Sequence, residues 1–447
     1  MMEMEKEKKS STIGKVLIPF VEKLTRQRHL AAVQKAFQSI LHIMLIGSFA
    51  LILAAPPVDY TTLAEGTAMY TFFSGWAAFS GVAEGLLYGI FDATMGLLAL
   101  YVCVGVTHFL AKHYKLNPLM PIATAIIAFF ILNTHWQEDA EGVGAWVASF
   151  FGGPGLFSGI VVAILSTELY RVLIVHKVGY IKLPDAVPEA LSSTFESLAP
   201  SAIVAVLAAF LNLVINLIFK VTLPELVTVI FSPLVSAVDN VVGASFATLL
   251  KQILWWFGIN DAAIGTVLEP IRVSNMAANI AAYASGTAPA NLPYIFTTPF
   301  TDVFGTIGGA GGTLGLAVLL LTARSKQLKT VGKVAIVPGI FNINEPILFG
   351  MPIVLNPLFL VPFFGAELFN CLATYLSMAA GLVNKPFVET GWNLFAPIGA
   401  LLTTLDIRAL FLSLICIVVD LLIYLPFFKI YDNALYQKEQ SEVVTAE

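Results

Sequence analysis

Charged residues are scarce in this sequence. Asp, Glu, Lys and Arg make up only 12% of its 447 residues, whereas about 25% is usual in a soluble globular protein. Hydrophobic residues account for 57%, and the mean hydropathy is +0.83. This composition excludes an ordinary soluble domain and predicts an integral membrane protein whose helices cross the bilayer. The net charge of −5 adds little, because in such chains the placement of Lys and Arg matters more.

Cysteine is almost absent as well. The three cysteines, Cys103, Cys371 and Cys416, each lie in an apolar run, with no Cys-x-x-Cys or Cys/His spacing. We therefore expect them to be small buried hydrophobic residues. Neither a disulfide framework nor a metal site is predicted.

Long apolar runs alternate with clusters of basic residues. The runs predict spans at about residues 36–55, 86–110, 118–132, 156–175 and 201–218, with residues 59–75 outside the cell,. A further apolar run extends from Gly308 to Ala323 and ends at basic residues. Basic residues follow every second run, and this alternation predicts a cytoplasmic N-terminus. The tail after Phe428 carries Lys429 and Lys438 and lies on the same side, so the number of spans is even. We estimate about ten spans of about 20 residues each.

The character of the apolar segments changes at about residue 222. Before this point the runs are uninterrupted, whereas beyond it they contain acids, amides, glycines and prolines. Short broken segments are typical of a substrate site near the middle of the membrane. The sequence therefore predicts a cytoplasmic amphipathic segment (1–35), a scaffold of transmembrane helices (36–221), a substrate-binding transport domain (222–430) and a cytoplasmic tail (431–447). Two interrupted stretches, residues 335–352 and 386–406, are predicted to be re-entrant hairpins.

Residues 335–352 contain the most unusual group of polar side chains. Glu345 lies beside Asn342 and Asn344, and prolines and glycines on both sides interrupt any helix. An ionisable side chain in a bilayer costs about 2.5–3.5 kcal/mol, so it persists mainly where it lines a cavity or binds a ligand. Carboxylates and amides suit a polyhydroxylated ligand such as a sugar. The alternative is a purely structural ion pair between Glu345 and Arg272.

A second candidate group follows two adjacent tryptophans. Residues 255–261 read Trp-Trp-Phe-Gly-Ile-Asn-Asp and place Trp256 close to Asn260 and Asp261. A sugar packs its CH-rich face on an aromatic ring while its hydroxyls bond to amides and acids. An equally good interpretation is an aromatic belt at the membrane surface, because Trp favours the level of the lipid headgroups.

Residues 305–313 are rich in glycine and read Gly-Thr-Ile-Gly-Gly-Ala-Gly-Gly-Thr. The Gly-Lys-Ser/Thr ending of a nucleotide-binding loop is missing, so no nucleotide cofactor is predicted,. Small residues instead favour close helix packing, or a close approach of the backbone to a ligand, which makes Gly309 a candidate contact. Thr298 and Asp302, just before this loop, are assigned to the same cavity.

Other ionisable residues occur singly. Asp92, His108, Glu168 and Asp420 lie within or at the ends of predicted spans. Each fits a satisfied polar contact between helices equally well, and none is assigned a catalytic role.

Several of these motifs occur together in one known family. They are Phe-Thr-Thr-Pro-Phe (296–300), the glycines of 308–313, Ser-Lys-Gln-Leu-Lys (325–329), Pro-Gly-Ile-Phe-Asn-Ile-Asn-Glu-Pro (338–346) and Ile-Val-Leu-Asn-Pro (353–357). The chain closely resembles the membrane (IIC) component of the lactose/cellobiose family of the bacterial phosphoenolpyruvate-dependent sugar phosphotransferase system. The resemblance implies an all-α membrane protein with ten spans, two re-entrant hairpins and an elevator-type movement. It also implies a homodimer whose contact is formed by the first half.

The resemblance implies a function as well. The chain would be a permease subunit of the bacterial cytoplasmic (inner) membrane, with both termini cytoplasmic, for a β-linked disaccharide such as cellobiose, diacetylchitobiose or lactose. The family's key glutamate corresponds to Glu345, which would hold the sugar and accept the proton of its 6-hydroxyl. Phosphate would come from a phosphocysteine on a separate IIB protein, which a IIA protein supplies. The implied partners are thus the sugar, IIA, IIB, a second copy and lipid, and not nucleic acid.

The chain itself is not expected to carry the phosphoryl group. None of its three cysteines lies in a cytoplasmic phosphate-accepting loop. We therefore expect it to be the transport subunit of a phosphotransferase complex, with the IIB and IIA functions on other chains.

Two positions depart from the family pattern. Asn260 stands where many relatives have a histidine after Phe-Gly-Ile, and an amide bonds a hydroxyl but cannot take its proton,. Asp261 is the candidate substitute. The segment around Trp392 also differs, although we still assign Trp392 to the sugar site. A rival hypothesis is an ion-coupled secondary transporter in which Glu345 or Asp261 carries the coupling proton.

Overall fold

The computed structural model describes residues 27–56, 60–138, 144–180, 189–257, 262–351, 353–354 and 356–446. Most of this part of the chain is helical. The helices are α1 (Arg28–Ala54), α2 (Ala68–Thr94), α3 (Leu98–His113), α4 (Leu119–Asn133), α5 (Leu156–Val175), α6 (Glu189–Phe219), α7 (Leu223–Val238), α8 (Val241–Trp256), α9 (Ala262–Ala284), α10 (Leu314–Leu321), α11 (Lys326–Ile340), α12 (Glu345–Gly350), α13 (Pro357–Ala379), α14 (Ala396–Thr404) and α15 (Ile407–Ala446). A π-helical turn (Phe300–Gly305) and the strands β1 (His135–Glu138) and β2 (Gly144–Val147) lie between them.

Six helical stretches among the described residues are long and apolar enough to cross a membrane. They are Arg28–Ala54, Ala68–His113, Gly153–Val175, Ser193–Phe219, Pro357–Ala379 and Ile407–Ser441. A seventh is obtained if α7 and α8, which meet at a bend of 77°, are counted as one broken span. The prediction of a helical membrane protein is confirmed, whereas the total of about ten spans stays a prediction.

The chain divides into two compact units. Of the described residues, the first unit holds those up to Val235 and Gly265–Ala278, and the second holds those in Ser236–Ile264 and Asn279–Glu447. In the first unit α1 packs against α2 and α3, while α5 packs against α3, α4 and α6. Small residues allow the helices to approach closely: a Cβ added to Gly105 of α3 would lie 2.9 Å from the Cβ of Ala36 in α1,.

Two local features of the first unit were not evident from the sequence. Helix α2 begins at Ala68, well before the apolar run predicted from residue 86 and within the stretch predicted to be external. In addition, β1 and β2 form an antiparallel hairpin with Trp136 opposite Trp146 and 5.4 Å between the ring centroids. Aromatic cross-strand pairs stabilise hairpins, so this short sheet is an exception to the predicted all-α fold.

The second unit carries the predicted site residues. Helix α15 packs against α10, α13 and α14, while α8 packs against α13. The sequence predicts an apolar run from Gly308, but α10 begins only at Leu314. Four glycines in residues 308–312 have positive φ angles, a conformation that glycine adopts without strain and that delays the start of the helix,.

The C-terminal helix α15 extends through most of the predicted tail. It brings Asp432 and Glu439 to the start of α11. Asp432 accepts hydrogen bonds from the backbone N–H groups of residues 324–325 at 2.9 to 3.1 Å. Glu439 accepts hydrogen bonds from the Ser325 hydroxyl (2.6 Å) and from the backbone N–H groups of Lys326 (2.9 Å) and Gln327 (3.1 Å). Because the first N–H groups of a helix have no partner within it, these two carboxylates cap α11.

Candidate functional site

Asn342 lies in the loop of residues 341–344, which follows the end of α11. Its φ angle is +60°, a left-handed conformation that Asn tolerates better than most residues. The side-chain amide donates to the carbonyl of Trp392 (2.7 Å) and, more weakly, to that of Asp302 (3.3 Å). Its oxygen accepts from the N–H of Gly308 (2.8 Å). Asn342 therefore joins three distant segments of the second unit.

Asn344 is buried and attached to the glycine-rich loop. Its amide donates to the carbonyl of Ala310 (2.7 Å) and to the hydroxyl of Thr313 (2.9 Å). Gly309 packs directly on it, since an added Cβ would lie only 2.4 Å from the Asn344 Cγ. The structure thus commits both N–H groups of Asn344 to the protein. The predicted substrate contacts of Asn344 and Gly309 stay predictions.

Glu345 is the exposed member of the group. It is the first residue of α12 and is exposed, whereas the adjacent Asn344 is only 3% exposed. Within the described part of the chain, its carboxylate has no hydrogen bond or ion pair. The alternative partner Arg272 instead forms an ion pair with Glu269, three residues earlier on α9. The Glu345 carboxylate is therefore free to accept hydrogen bonds from a ligand.

The predicted aromatic residues differ in their surroundings. Trp392 is 49% exposed, and its carbonyl is held by Asn342, so this residue lies beside the loop that carries Glu345. Trp256 is half-buried against the core cluster that includes Ile347 and Leu348 of α12. Asn260 and Asp261 lie outside the described residues.

Thr298 has a partner that the sequence analysis did not identify. Its hydroxyl donates to the carboxylate of Glu389 at 2.7 Å, and these two residues are 6% and 2% exposed. Just before Thr298, the carboxylate of Asp239 accepts hydrogen bonds from the N–H groups of Ile295 (3.0 Å) and Phe296 (2.6 Å). An available signal was the position of Glu389 within residues 386–406, one of the two stretches predicted to be re-entrant.

Further buried side chains from α13 and α15 hold the glycine-rich loop. Glu367 accepts a hydrogen bond from the N–H of Gly311 (2.7 Å), and the Tyr424 hydroxyl donates to the Gly311 carbonyl (2.7 Å). Asn370 donates to the Gly305 carbonyl (3.2 Å) and to Asp420 (3.0 Å). No local pattern reveals these contacts, because the partners of Gly311 lie 56 and 113 residues away in the chain.

The arrangement presents one accessible carboxylate on a loop that the rest of the unit holds in place. A carboxylate accepts hydrogen bonds from neighbouring hydroxyls, and it also accepts a proton from a hydroxyl that is attacked or transferred. No group of three or more His, Cys, Asp or Glu side chains that could hold a metal ion occurs among the residues that the structure describes. The Glu345 carboxylate thus offers the binding and positioning of a polar ligand.

Comparisons with known proteins identify the family of this chain. Residues 34–366 match the family described as "Phosphotransferase system, EIIC". The lichenan permease IIC component of Bacillus subtilis (strain 168) is 35% identical over 438 residues, which cover 95% of this chain and 93% of the relative. The cellobiose-specific EIIC component of Geobacillus stearothermophilus is 37% identical over 442 residues, with 95% of each protein covered.

A solved structure is similar throughout its length. The crystal structure of the transporter ChbC, the IIC component of the N,N'-diacetylchitobiose-specific phosphotransferase system, superposes with a TM-score of 0.85. Its sequence is 31% identical, and the match covers 96% of this chain and 99% of the neighbour. The resemblance found in the motifs is confirmed, and the chain belongs to the EIIC family of membrane components of the bacterial sugar phosphotransferase system.

Proposed function

We propose that this chain binds a β-linked disaccharide at Glu345 and carries it across the bacterial inner membrane. The observation that carries the proposal is the exposed Glu345 carboxylate on a loop fixed by Asn342 and Asn344. Such a loop holds the backbone at Glu345 in place before the ligand arrives, which lowers the entropy cost of binding.

The relatives favour the β-linked disaccharides as substrates. Their names specify lichenan, cellobiose and N,N'-diacetylchitobiose, and all three are built from β-linked sugars. We assign hydrogen bonding of the sugar hydroxyls to Glu345, with Asn342, Asn344, Asn260 and Asp261 as further polar residues of the site. The faces of Trp392 and Trp256 are proposed to pack on the sugar, with Thr298 and Gly309 at the edge of the same site. Cellobiose, diacetylchitobiose and lactose are the candidates.

The transported sugar is proposed to leave as its 6-phosphate. The oxygen of the sugar 6-hydroxyl attacks the phosphorus of a phosphocysteine on a IIB protein, the phosphorus–sulfur bond breaks, and the cysteine departs as a thiolate. The hydroxyl proton passes to the Glu345 carboxylate. A IIA protein then returns phosphate to IIB. Most of the rate acceleration in such a transfer comes from positioning and charge stabilisation, which is the role proposed for this chain.

The architecture implied by the family is part of the same proposal. We propose ten spans with both termini in the cytoplasm, re-entrant hairpins at residues 335–352 and 386–406, and a homodimer formed by the first half. The broken helices around the glycine-rich loop support a site near the middle of the membrane,. The division into residues 1–35, 36–221, 222–430 and 431–447 is proposed to separate the amphipathic segment, scaffold, transport domain and tail, with the transport domain moving as an elevator.

Right-side-out membrane vesicles and proteoliposomes, loaded with phosphoenolpyruvate and the soluble phosphotransfer proteins, test this function. We expect uptake of a labelled disaccharide to require phosphoenolpyruvate and the soluble phosphotransfer proteins, and the internal product to be the sugar 6-phosphate. Collapse of the proton and sodium gradients should leave the initial rate unchanged. Accumulation of unmodified sugar that depends on an ion gradient would support the rival secondary transporter instead.

A further inference from the structure

Helix α11 presents an exposed basic face. Its buried side packs on α10: a Cβ on Gly332 would lie 2.8 Å from the backbone of Leu320, so these helices are in close contact. The opposite side is exposed along the first two turns, because residues three and four apart share one face of a helix. We call this exposed side the lysine face; it consists of Lys326, Lys329, Thr330 and Lys333.

The charge of the lysine face is poorly compensated. Among the residues that the structure describes, no carboxylate lies within ion-pair distance of Lys329 or Lys333. At the start of α11, Glu439 interacts with the charge of Lys326, and Asp432 and Glu439 accept hydrogen bonds from backbone N–H groups of residues 324–327 and from the Ser325 hydroxyl. Three lysines therefore form a row about 10 Å long, given the rise of 1.5 Å per residue.

The lysine face precedes the proposed sugar site along the chain. Helix α11 ends at Ile340 and is followed by the loop that carries Glu345. Between the lysines and this loop the exposed residues are apolar, namely Val334, Val337 and Phe341, which are 61%, 60% and 47% exposed. The exposed side of α11 is thus cationic in its first two turns and apolar in the part that leads to the loop before Glu345.

This order of charges fits a phosphorylated protein. On the proposed function, a doubly charged phosphate must approach a sugar held by the Glu345 carboxylate, and the two negative charges repel each other. Lysine ammonium groups bind phosphate as point charges and offset this repulsion. From this charge complementarity we infer that the lysine face of α11 is the docking surface for the phosphorylated IIB protein. The exposed apolar residues beyond it would contact the partner next to its phosphocysteine.

The test is the rate of phosphoenolpyruvate-dependent phosphorylation of the disaccharide in nanodiscs of zwitterionic phosphatidylcholine. The probe is a purified IIB protein of the lactose/cellobiose family, chosen because it supports the reaction with the wild-type chain. We expect Lys329→Glu/Lys333→Glu to raise the KM for phosphorylated IIB about tenfold and to leave the Kd for the sugar unchanged. In the wild type, KM should rise with salt concentration, because salt screens the attraction between the lysines and phosphorylated IIB. In the variant this rise should be shallower, because fewer attractive charges remain to be screened.

Several controls make the result decisive. Lys329→Gln/Lys333→Gln removes the charges without reversing them and serves if the double glutamate variant does not fold, with a smaller effect in the same direction. Lys112→Glu changes an exposed lysine at the end of α3 in the first unit and should have little effect.

Three outcomes would overturn the inference. They are an unchanged KM in the lysine-face variants, an equal effect of Lys112→Glu, and an effect seen only in nanodiscs of anionic lipid. The last result would show that the face binds lipid headgroups. If the wild-type chain bound no disaccharide, the proposed function itself would be contradicted. Failure of the docking surface and failure of the proposed function are therefore distinguishable.

Discussion

The side chain of Asn342 and the backbone carbonyl of Trp392, 50 positions apart, are joined by a hydrogen bond of 2.7 Å. The same amide accepts a hydrogen bond from the N–H of Gly308. The loop that carries Glu345 is thereby tied to the glycine-rich loop and to the segment containing the half-exposed Trp392. The proposed sugar site is held together by this amide rather than by local secondary structure.

Replacement of Asn342 should therefore weaken sugar binding. Asn342→Asp keeps an acceptor for the Gly308 N–H but cannot donate to Trp392, whereas Asn342→Gly removes both contacts and accepts the φ angle of +60°,. We expect both variants to bind sugar about tenfold more weakly, since a hydrogen bond contributes about 0.5–1.5 kcal/mol and leaving a buried partner unpaired costs more. Isothermal titration with the preferred disaccharide measures the effect. Wild-type affinity in both variants would show that this link does not position the site.

Gly309 is expected to be intolerant of any side chain. Its φ angle is +97°, and an added Cβ would lie 2.4 Å from the Asn344 Cγ. Gly286→Ala is the matched control, because Gly286 has a φ angle of +89° but nothing within 4 Å of the added Cβ. Thermal unfolding should show a cost of about 1–3 kcal/mol from strain in the control, and a larger loss in Gly309→Ala. Equal losses would mean that the packing of Gly309 on Asn344 contributes nothing.

The buried contact between Thr298 and Glu389 should contribute to stability. Thr298→Val removes the hydroxyl that donates to the Glu389 carboxylate and keeps the shape of the side chain. We expect a loss of about 1–3 kcal/mol in the free energy of unfolding, because the buried carboxylate loses a donor. Thr71→Val on the exposed part of α2 is the control and should change stability by less than about 0.5 kcal/mol. A neutral Thr298→Val would argue against this pairing.

The capping of α11 by α15 leads to a local prediction. In Asp432→Asn and Glu439→Gln the first N–H groups of α11 lose charged acceptors, so amide hydrogen exchange at residues 324–328 should become faster. Loss of a helix cap costs about 0.5–2 kcal/mol. Exchange elsewhere in the second unit, for example in α13, provides the internal control. Unchanged protection at residues 324–328 would show that the C-terminal helix does not stabilise this helix start.

The elements best predicted from the sequence are those that neighbouring residues in the chain determine. Helix α5 covers Leu156–Val175, the predicted range, because an uninterrupted apolar run determines it. Helix α2 begins earlier than predicted because glycines, serines and Glu84 lower the hydropathy of residues 74–85. Helix α10 begins later than predicted, since apolar character does not reveal that glycines 308–312 adopt positive φ angles.

In the candidate site, too, local features were visible in the sequence and tertiary contacts were not. The polar character of Asn342, Asn344 and Glu345 was visible in the sequence, but which of these side chains the protein itself uses was not. Asn342 and Asn344 bond to segments more than 30 positions away, and such pairings depend on the tertiary fold. The partner of Arg272 is different, because Glu269 lies three residues earlier on the same helix, a spacing at which ion pairs are expected.

The central claim is that Glu345 binds the sugar, and equilibrium binding of radiolabelled cellobiose, diacetylchitobiose and lactose to the purified protein tests it most directly. Glu345→Gln keeps the size of the side chain and removes the charge, and Glu65→Gln, at another exposed position, is the control. We predict that one disaccharide binds to the wild type and to Glu65→Gln. Binding to a Glu345→Gln protein of unchanged melting temperature should be about 10- to 100-fold weaker, since hydrogen bonds to a charged group contribute about 1.5–3 kcal/mol. Equal affinity in wild type and Glu345→Gln would contradict the account.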